Sequence, residues 1–154
     1  DQSCKRLGIH CVEALHCDAR HLLDRFPELK GQIQRVLVDA PCSGLGVLRR
    51  RPDARWRKTP MEPAVLAGLQ REILRVGVEL LAKGGRLVYS TCSFEKEETI
   101  DNVAWLLQDY PLRPLNLAGL IDVQPAVEGS PGTLTLFPHM HGTDGFFLAA
   151  FDRC

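Results

Sequence analysis

Two cysteines stand where covalent chemistry is easiest to build. Cys42 lies in Val38-Asp39-Ala40-Pro41-Cys42-Ser43-Gly44, and Cys92 in Val88-Tyr89-Ser90-Thr91-Cys92-Ser93. Each follows directly on a short apolar run with strand character, so each falls where a strand hands over to a loop or helix. In an open α/β sheet, the carboxyl ends of the strands are where ligands and reacting groups gather. Two thiols on one rim suit covalent chemistry on an electrophilic carbon, with one sulfur attacking and the other close by.

The elements that must carry them follow from the apolar periodicity. Residues 1–8 read as the tail of a helix closed by Gly8, residues 9–17 as a strand ending at Asp18, and residues 21–26 as a short helix stopped by Pro27. Residues 35–40 form a nearly all-apolar strand (Val36, Leu37, Val38), the pattern of a strand covered on both faces. A Gly- and Arg-rich loop follows from Ser43 to about Pro63. Residues 65–81 predict a strongly amphipathic helix ended by Gly84-Gly85, and residues 86–91 the next strand. A helix is expected over 95–109, with Glu95, Glu97 and Glu98 in its first turns complementing the N-terminal dipole. Residues 111–132 are irregular. Strands at 133–137 and 146–151 flank a turn region ending in Gly142-Thr143-Asp144-Gly145. Strand–helix alternation closed by an antiparallel pair predicts an α/β fold with a mainly parallel sheet.

Composition narrows the field. At 154 residues the chain is one domain or part of one. Lys plus Arg and Asp plus Glu balance at 19 each, so no global basic field announces a nucleic-acid partner, although a neutral total can hide a local patch. No apolar run approaches the ~20 residues that span a membrane. The six cysteines include no C-x2-C pair and no histidine pair to complete a zinc set. The first residues have no secretory-signal pattern, so a disulfide framework does not fit. A reduced, cytoplasmic protein is expected, with Cys11 and Cys17 as small core residues.

Several motifs occur in one order: Asp39-Ala40-Pro41-Cys42-Ser43-Gly44, Arg49-Arg50-Arg51-Pro52-Asp53 with Trp56, Leu69-Gln70, Tyr89-Ser90-Thr91-Cys92-Ser93 and Asp144-Gly145-Phe146-Phe147. Together they closely resemble the Sun family of RNA cytosine-C5 methyltransferases, and within it the bacterial enzymes that act on small-subunit ribosomal RNA. The resemblance runs over essentially the whole chain. It implies the Rossmann-like fold of S-adenosylmethionine-dependent methyltransferases, with residues 1–154 as the C-terminal portion of one catalytic domain. The first strands and the glycine-rich cofactor loop are missing from it. The chain by itself is therefore expected to bind S-adenosylmethionine poorly and to be inactive.

By the same resemblance, Cys92 is the nucleophile that adds to cytosine C6, turning C5 into a nucleophile towards the methyl group. Its place before a helix start favours a thiolate. Cys42 matches the second cysteine, which assists release of the RNA adduct, and Asp39 the acid beside it, close to both the base and the cofactor. Asp18 matches a contact to the adenosine of S-adenosylmethionine, although an Asp here can equally cap the helix that follows. Arg49, Arg50, Arg51 and Arg55, with Arg57 and Lys58, sit straight after the catalytic loop and are expected to meet RNA phosphates. Trp56 is expected to anchor that loop on the sheet. His139, His141 and Asp144-Gly145 read as turn residues, and no metal is expected.

Two other classes compete. A non-catalytic RNA-binding or assembly module would keep the fold without needing Cys92 or Asp39. A nucleotide-dependent oxidoreductase would have no role for paired cysteine motifs. An amino-directed methyltransferase usually carries Asn/Asp-Pro-Pro-aromatic where this chain has Asp39-Ala40-Pro41-Cys42.

Overall fold

The computed structural model describes residues 2–117 and 132–154. Strand β1 (Ile33–Asp39) pairs in parallel with β2 (Leu81–Thr91), and helix α3 (Glu62–Leu80) makes the crossover between them. The helices ahead of β1 are short: α1 (Gln2–Arg6) and α2 (Leu22–Arg25). Helix α3 begins with a proline in its first turn, where the missing N–H costs nothing. Its residues Ala67, Gln70, Leu74, Gly77 and Val78 recur at helical spacing and form its buried stripe. The helix ends at Leu80, four residues before Gly84-Gly85. The chain turns straight into β2, and the glycines belong to an irregularity there: Ile33 pairs Leu81 but Arg35 pairs Arg86. Gly84 takes φ +74°, a conformation that L side chains rarely adopt, so it marks the bulge and not the helix end.

After β2, a 3-10 turn (Lys96–Glu98) leads into α4 (Ile100–Asp109) and the short strand β3 (Leu112–Pro114). Strand β4 (Thr133–Leu136), helix α5 (Pro138–His141) and strand β5 (Phe146–Arg153) complete the chain. The sheet order is β1-β2-β5-β3, with β4 also on β5. Among the described residues the sheet is mixed: β1 with β2 is parallel, whereas β5 runs antiparallel to β2, β3 and β4. The expected mainly parallel sheet is thus corrected. The terminal pair is not an appendage, because β5 inserts beside β2 and shifts the balance. Part of the expected irregular stretch, 118–131, lies outside the described residues.

Leu74 of α3, Leu81, Leu87 and Tyr89 of β2, Leu106 of α4 and Phe151 of β5 form a fully buried core. Burying a side chain of this size contributes about 1.5–3 kcal/mol. Two further expectations fail. Residues 9–17 form no strand; Ile9, Val12 and Leu15 stay exposed, and among the described residues nothing pairs with the outer edge of β1. Strand β1 is covered on one face only: Val38 is buried under α3, while Leu37 is 68 % exposed on the other side. The nearby Cys11 is likewise exposed, not in the core.

Candidate active site

The parallel register sets Asp39 opposite Ser90. Strand β1 ends at that pair and β2 one residue later at Thr91, and the two Cys-Ser steps that follow converge. Cys42 Sγ lies 3.2 Å from Cys92 Sγ, and both thiols are free. The Ser90 hydroxyl donates to Asp39 Oδ1 at 2.9 Å, which holds the carboxylate at the strand tip. Burial, with the Cys92 thiol beside it, pushes the Cys42 pKa up to about 12. A thiol so shifted keeps its proton at neutral pH and can donate it in a hydrogen bond towards the Cys92 sulfur.

Asp39, Cys42 and Cys92 line one open cleft of about 550 Å³, with Arg50, Arg51 and Lys58 on its wall and Phe146 at its edge. Asp39 also borders a second, mostly apolar hollow of about 310 Å³ walled by Ala19, Leu22, Val38 and Ile73. One carboxylate therefore faces both. Asp18 does not line either. It caps the turn Ala19–His21 by accepting from the Arg20 N–H at 2.9 Å, and it pairs with the Arg20 guanidinium at 2.8 Å. Arg20, through its side chain first and its N–H second, holds the Asp18 carboxyl down at about 2. The capping role is the one that the geometry displays.

The arginine run divides. Arg49 and Arg50 both pair with Asp144, at 2.6 and 2.7 Å. Arg51 and Arg57, with Arg50 and Lys58, line a separate cationic hollow of about 410 Å³ beside the cleft. Arg55 instead lies over the ring of Trp56, 5.9 Å from its centroid. Trp56 is 82 % exposed, so it does not anchor the loop on the sheet. That anchor is Gly46. Its N–H donates to the Cys92 carbonyl at 2.8 Å, and its carbonyl accepts from the Gly145 N–H at 2.8 Å. A Cβ on Gly145 would collide with the Phe94 ring, and one on Gly46 with the Gly145 carbonyl. The Asp144-Gly145 segment is therefore more than turn chemistry, because it closes on the loop carrying Cys42.

Sequence reasoning left out the polar layer beneath the thiols. Glu98, expected on the dipole at a helix start, is fully buried and accepts from the N–H and hydroxyl of Ser43 and from the hydroxyl of Ser93. Gln70, Tyr89 and Asn102 extend this network. The available signal was the repeated Cys-Ser step at 42–43 and 92–93, which places one small hydroxyl after each thiol. Among the described residues, no group of three His, Cys, Asp or Glu side chains could hold a metal ion. No helix of the described residues is long and apolar enough to cross a membrane.

A mixed α/β sheet with its reactive groups at the ends of a parallel pair is the fold of the S-adenosylmethionine-dependent methyltransferases. The chain belongs to the 16S rRNA methyltransferase RsmB/F family, whose model matches residues 1–152. It is 45 % identical over 142 residues to a putative methyltransferase of Mycobacterium tuberculosis, covering 92 % of this chain and 30 % of that protein. To the probable ribosomal RNA small subunit methyltransferase B of Bacillus subtilis it is 40 % identical over 156 residues, covering 99 % and 34 %. Among solved structures, the crystal structure of PH0851 matches with a TM-score of 0.90 at 35 % identity, over 99 % of this chain and 33 % of that one. NSun6 from Pyrococcus horikoshii, solved with SFG, matches with a TM-score of 0.82 at 30 % identity, over 99 % and 37 %. The chain thus spans about a third of the length of these relatives.

Proposed function

We propose that the full-length protein carrying this chain transfers a methyl group from S-adenosylmethionine to C5 of a cytosine in RNA, with small-subunit ribosomal RNA as substrate. Residues 1–154 are read as the C-terminal portion of its catalytic domain. The observation that carries this reading is the pair of thiols 3.2 Å apart on the same cleft as Asp39. Support for the substrate comes from relatives named ribosomal RNA small subunit methyltransferases. Support for the donor comes from the related structure solved with SFG, an S-adenosylmethionine analogue.

S-adenosylmethionine supplies an electrophilic methyl group on a cationic sulfur. The apolar hollow bordered by Asp39 fits such a molecule, since it offers a surface for an adenosine and a carboxylate for the positive charge. Cys92 forms the bond to C6, which moves electron density to C5. Asp39, held by Ser90, hydrogen-bonds the cytosine N3/N4 edge as charge builds there. After methyl transfer, the C5 proton leaves to a base and the C6–sulfur bond breaks. Cys42, still protonated, then donates a hydrogen bond to the departing Cys92 thiolate and stabilises it. Asp18 supports the cofactor side only through the turn it caps. Arg51 and Arg57 carry the phosphate contacts; Arg49 and Arg50 pair with Asp144, Lys58 with Glu62, and Arg55 lies over Trp56. A reducing, cytoplasmic setting suits two free thiols this close.

The test uses the full-length protein with RNA and S-adenosylmethionine. Cys42→Ala accumulates a covalent protein–RNA adduct, whereas Cys92→Ala forms none. The reverse pattern would exchange the two roles, and an adduct in neither variant would remove the covalent mechanism.

A further inference from the structure

Glu98 is a carboxylate buried to 0 % exposure, and among the described residues no Lys, Arg or His forms an ion pair with it. Burying a charge without compensation costs several kcal/mol, and a fold that needed only packing is served as well by an apolar side chain here. What compensates Glu98 is a set of four donors. Oε1 accepts from the Ser43 N–H at 2.8 Å and from Gln70 Nε2 at 3.0 Å. Oε2 accepts from the hydroxyls of Ser43 and Ser93, both at 2.5 Å. The two serines directly follow the two cysteines, and their oxygens lie 3.0 Å apart.

Gln70 completes the arrangement. Arg71 Nε donates to Asn102 Oδ1 at 2.9 Å, so the Asn102 amide must point its nitrogen at Gln70 Oε1, 2.8 Å away. Gln70 Nε2 is thereby turned the other way. It donates to the Pro41 carbonyl at 2.9 Å and to Glu98 at 3.0 Å. The residues before and after Cys42, and the residue after Cys92, are thus tied to two side chains from α3 and the turn ahead of α4.

We propose that Glu98 and Gln70 are positioning residues that set the separation of the Cys42 and Cys92 sulfurs, by clamping Ser43, Ser93 and Pro41 to one buried carboxylate and one buried amide. The inference rests on the reading that these cysteines are the reacting pair, because only then does their spacing affect turnover. Neither residue touches substrate. Their contribution is to keep the departing Cys92 sulfur within reach of the Cys42 thiol.

The test measures thiol spacing directly, in the full-length protein. Diamide takes up the two electrons and two protons of a thiol pair, so the rate at which it forms a Cys42–Cys92 disulfide, read by peptide mass spectrometry, reports how often the sulfurs meet. Glu98→Ala and Gln70→Glu, the latter setting two carboxylates face to face, are expected to slow this pairing about tenfold or more. They should lower kcat in parallel while KM for RNA and for S-adenosylmethionine stays within about twofold. Glu98→Gln should recover most of both rates, because its oxygen can face the Ser43 N–H while the serine hydroxyls turn to accept from its amide. If Glu98→Ala does not fold, the double variant Ser43→Ala/Ser93→Ala must show the same joint loss. Unchanged pairing in a folded clamp variant would overturn the proposal, as would a fall in kcat with pairing at the parental rate. The pairing rate needs neither RNA nor methyl donor. A parental protein that fails to methylate RNA, with pairing still sensitive to the clamp, would overturn the methyltransferase reading and leave the clamp standing.

Discussion

The sulfurs of Cys42 and Cys92 lie 3.2 Å apart just beyond Asp39 and Ser90, the last residue pair between β1 and β2. With its pKa pushed up to about 12, Cys42 is ionised at pH 8 in about one molecule in ten thousand, against about one in four for an ordinary cysteine. The more basic thiolate is the better nucleophile and regains part of that roughly 2500-fold difference, so iodoacetamide at pH 8 should label Cys42 about a hundredfold more slowly than the exposed Cys11. Its rate should climb about tenfold per pH unit up to pH 11. Peptide mass spectrometry measures both; equal labelling at pH 8 contradicts the assignment.

Gly145→Ala should be severe and Gly68→Ala beneficial. A methyl at 145 meets the Phe94 ring, stacked on Phe137, and the Gly46 backbone, which cannot yield without straining its hydrogen bond to the Cys92 carbonyl. A loss of about 3 kcal/mol in urea unfolding is expected. Gly68 lies exposed within α3 with open space around its Cα, so alanine there should add about 0.5–1 kcal/mol.

Asp152 stands opposite Arg86 across β2 and β5 and accepts from it at 2.7 and 3.3 Å. The Arg86 guanidinium holds the Asp152 carboxyl below its ordinary pKa. A depressed folded-state pKa stabilises the fold above the unfolded value of about 3.9, and that stabilisation is lost as pH falls through the lower folded value. Asp152→Asn should thus cost about 1 kcal/mol from pH 5 to 8, and the difference should shrink below pH 4. Urea titrations across this range decide it; a difference that persists at pH 2 would rule out the ion pair as its source.

RNA affinity should separate the arginines. Arg51→Ala and Arg57→Ala should each weaken binding to the full-length protein and reduce the slope of log Kd against log salt by about 0.7–0.9. Arg49→Ala should lower the slope by about half as much, because that guanidinium shares the Asp144 carboxylate with Arg50. Filter binding at several salt concentrations reads the slopes, and a full unit lost in Arg49→Ala would show that Asp144 releases it to RNA.

The pattern of residues was enough to place Cys42 and Cys92 at the ends of successive strands, because a buried strand, a glycine-rich loop and an amphipathic helix each leave a local periodic trace. It also supported the α/β class and the motif order of the family. Local pattern failed where the outcome depends on a distant partner. Residues 9–17 have strand-like composition, but a strand exists only against an edge that donates and accepts its backbone bonds. The covering of Leu37 and the direction of the sheet were decided by which elements lie alongside, and β5 chose β2.

The same division holds at the site. That Cys42, Cys92, Asp39 and the basic loop gather at one rim was legible in the chain itself. Which arginines are free, that Asp18 serves as a cap, and that Glu98 leaves solvent to bind Ser43 and Ser93 were settled by tertiary structure alone. Hydrogen bonds between residues as far apart as Ser43 and Glu98, 55 positions along the chain, have no period to betray them. They form only once two strands and a helix have brought their ends together.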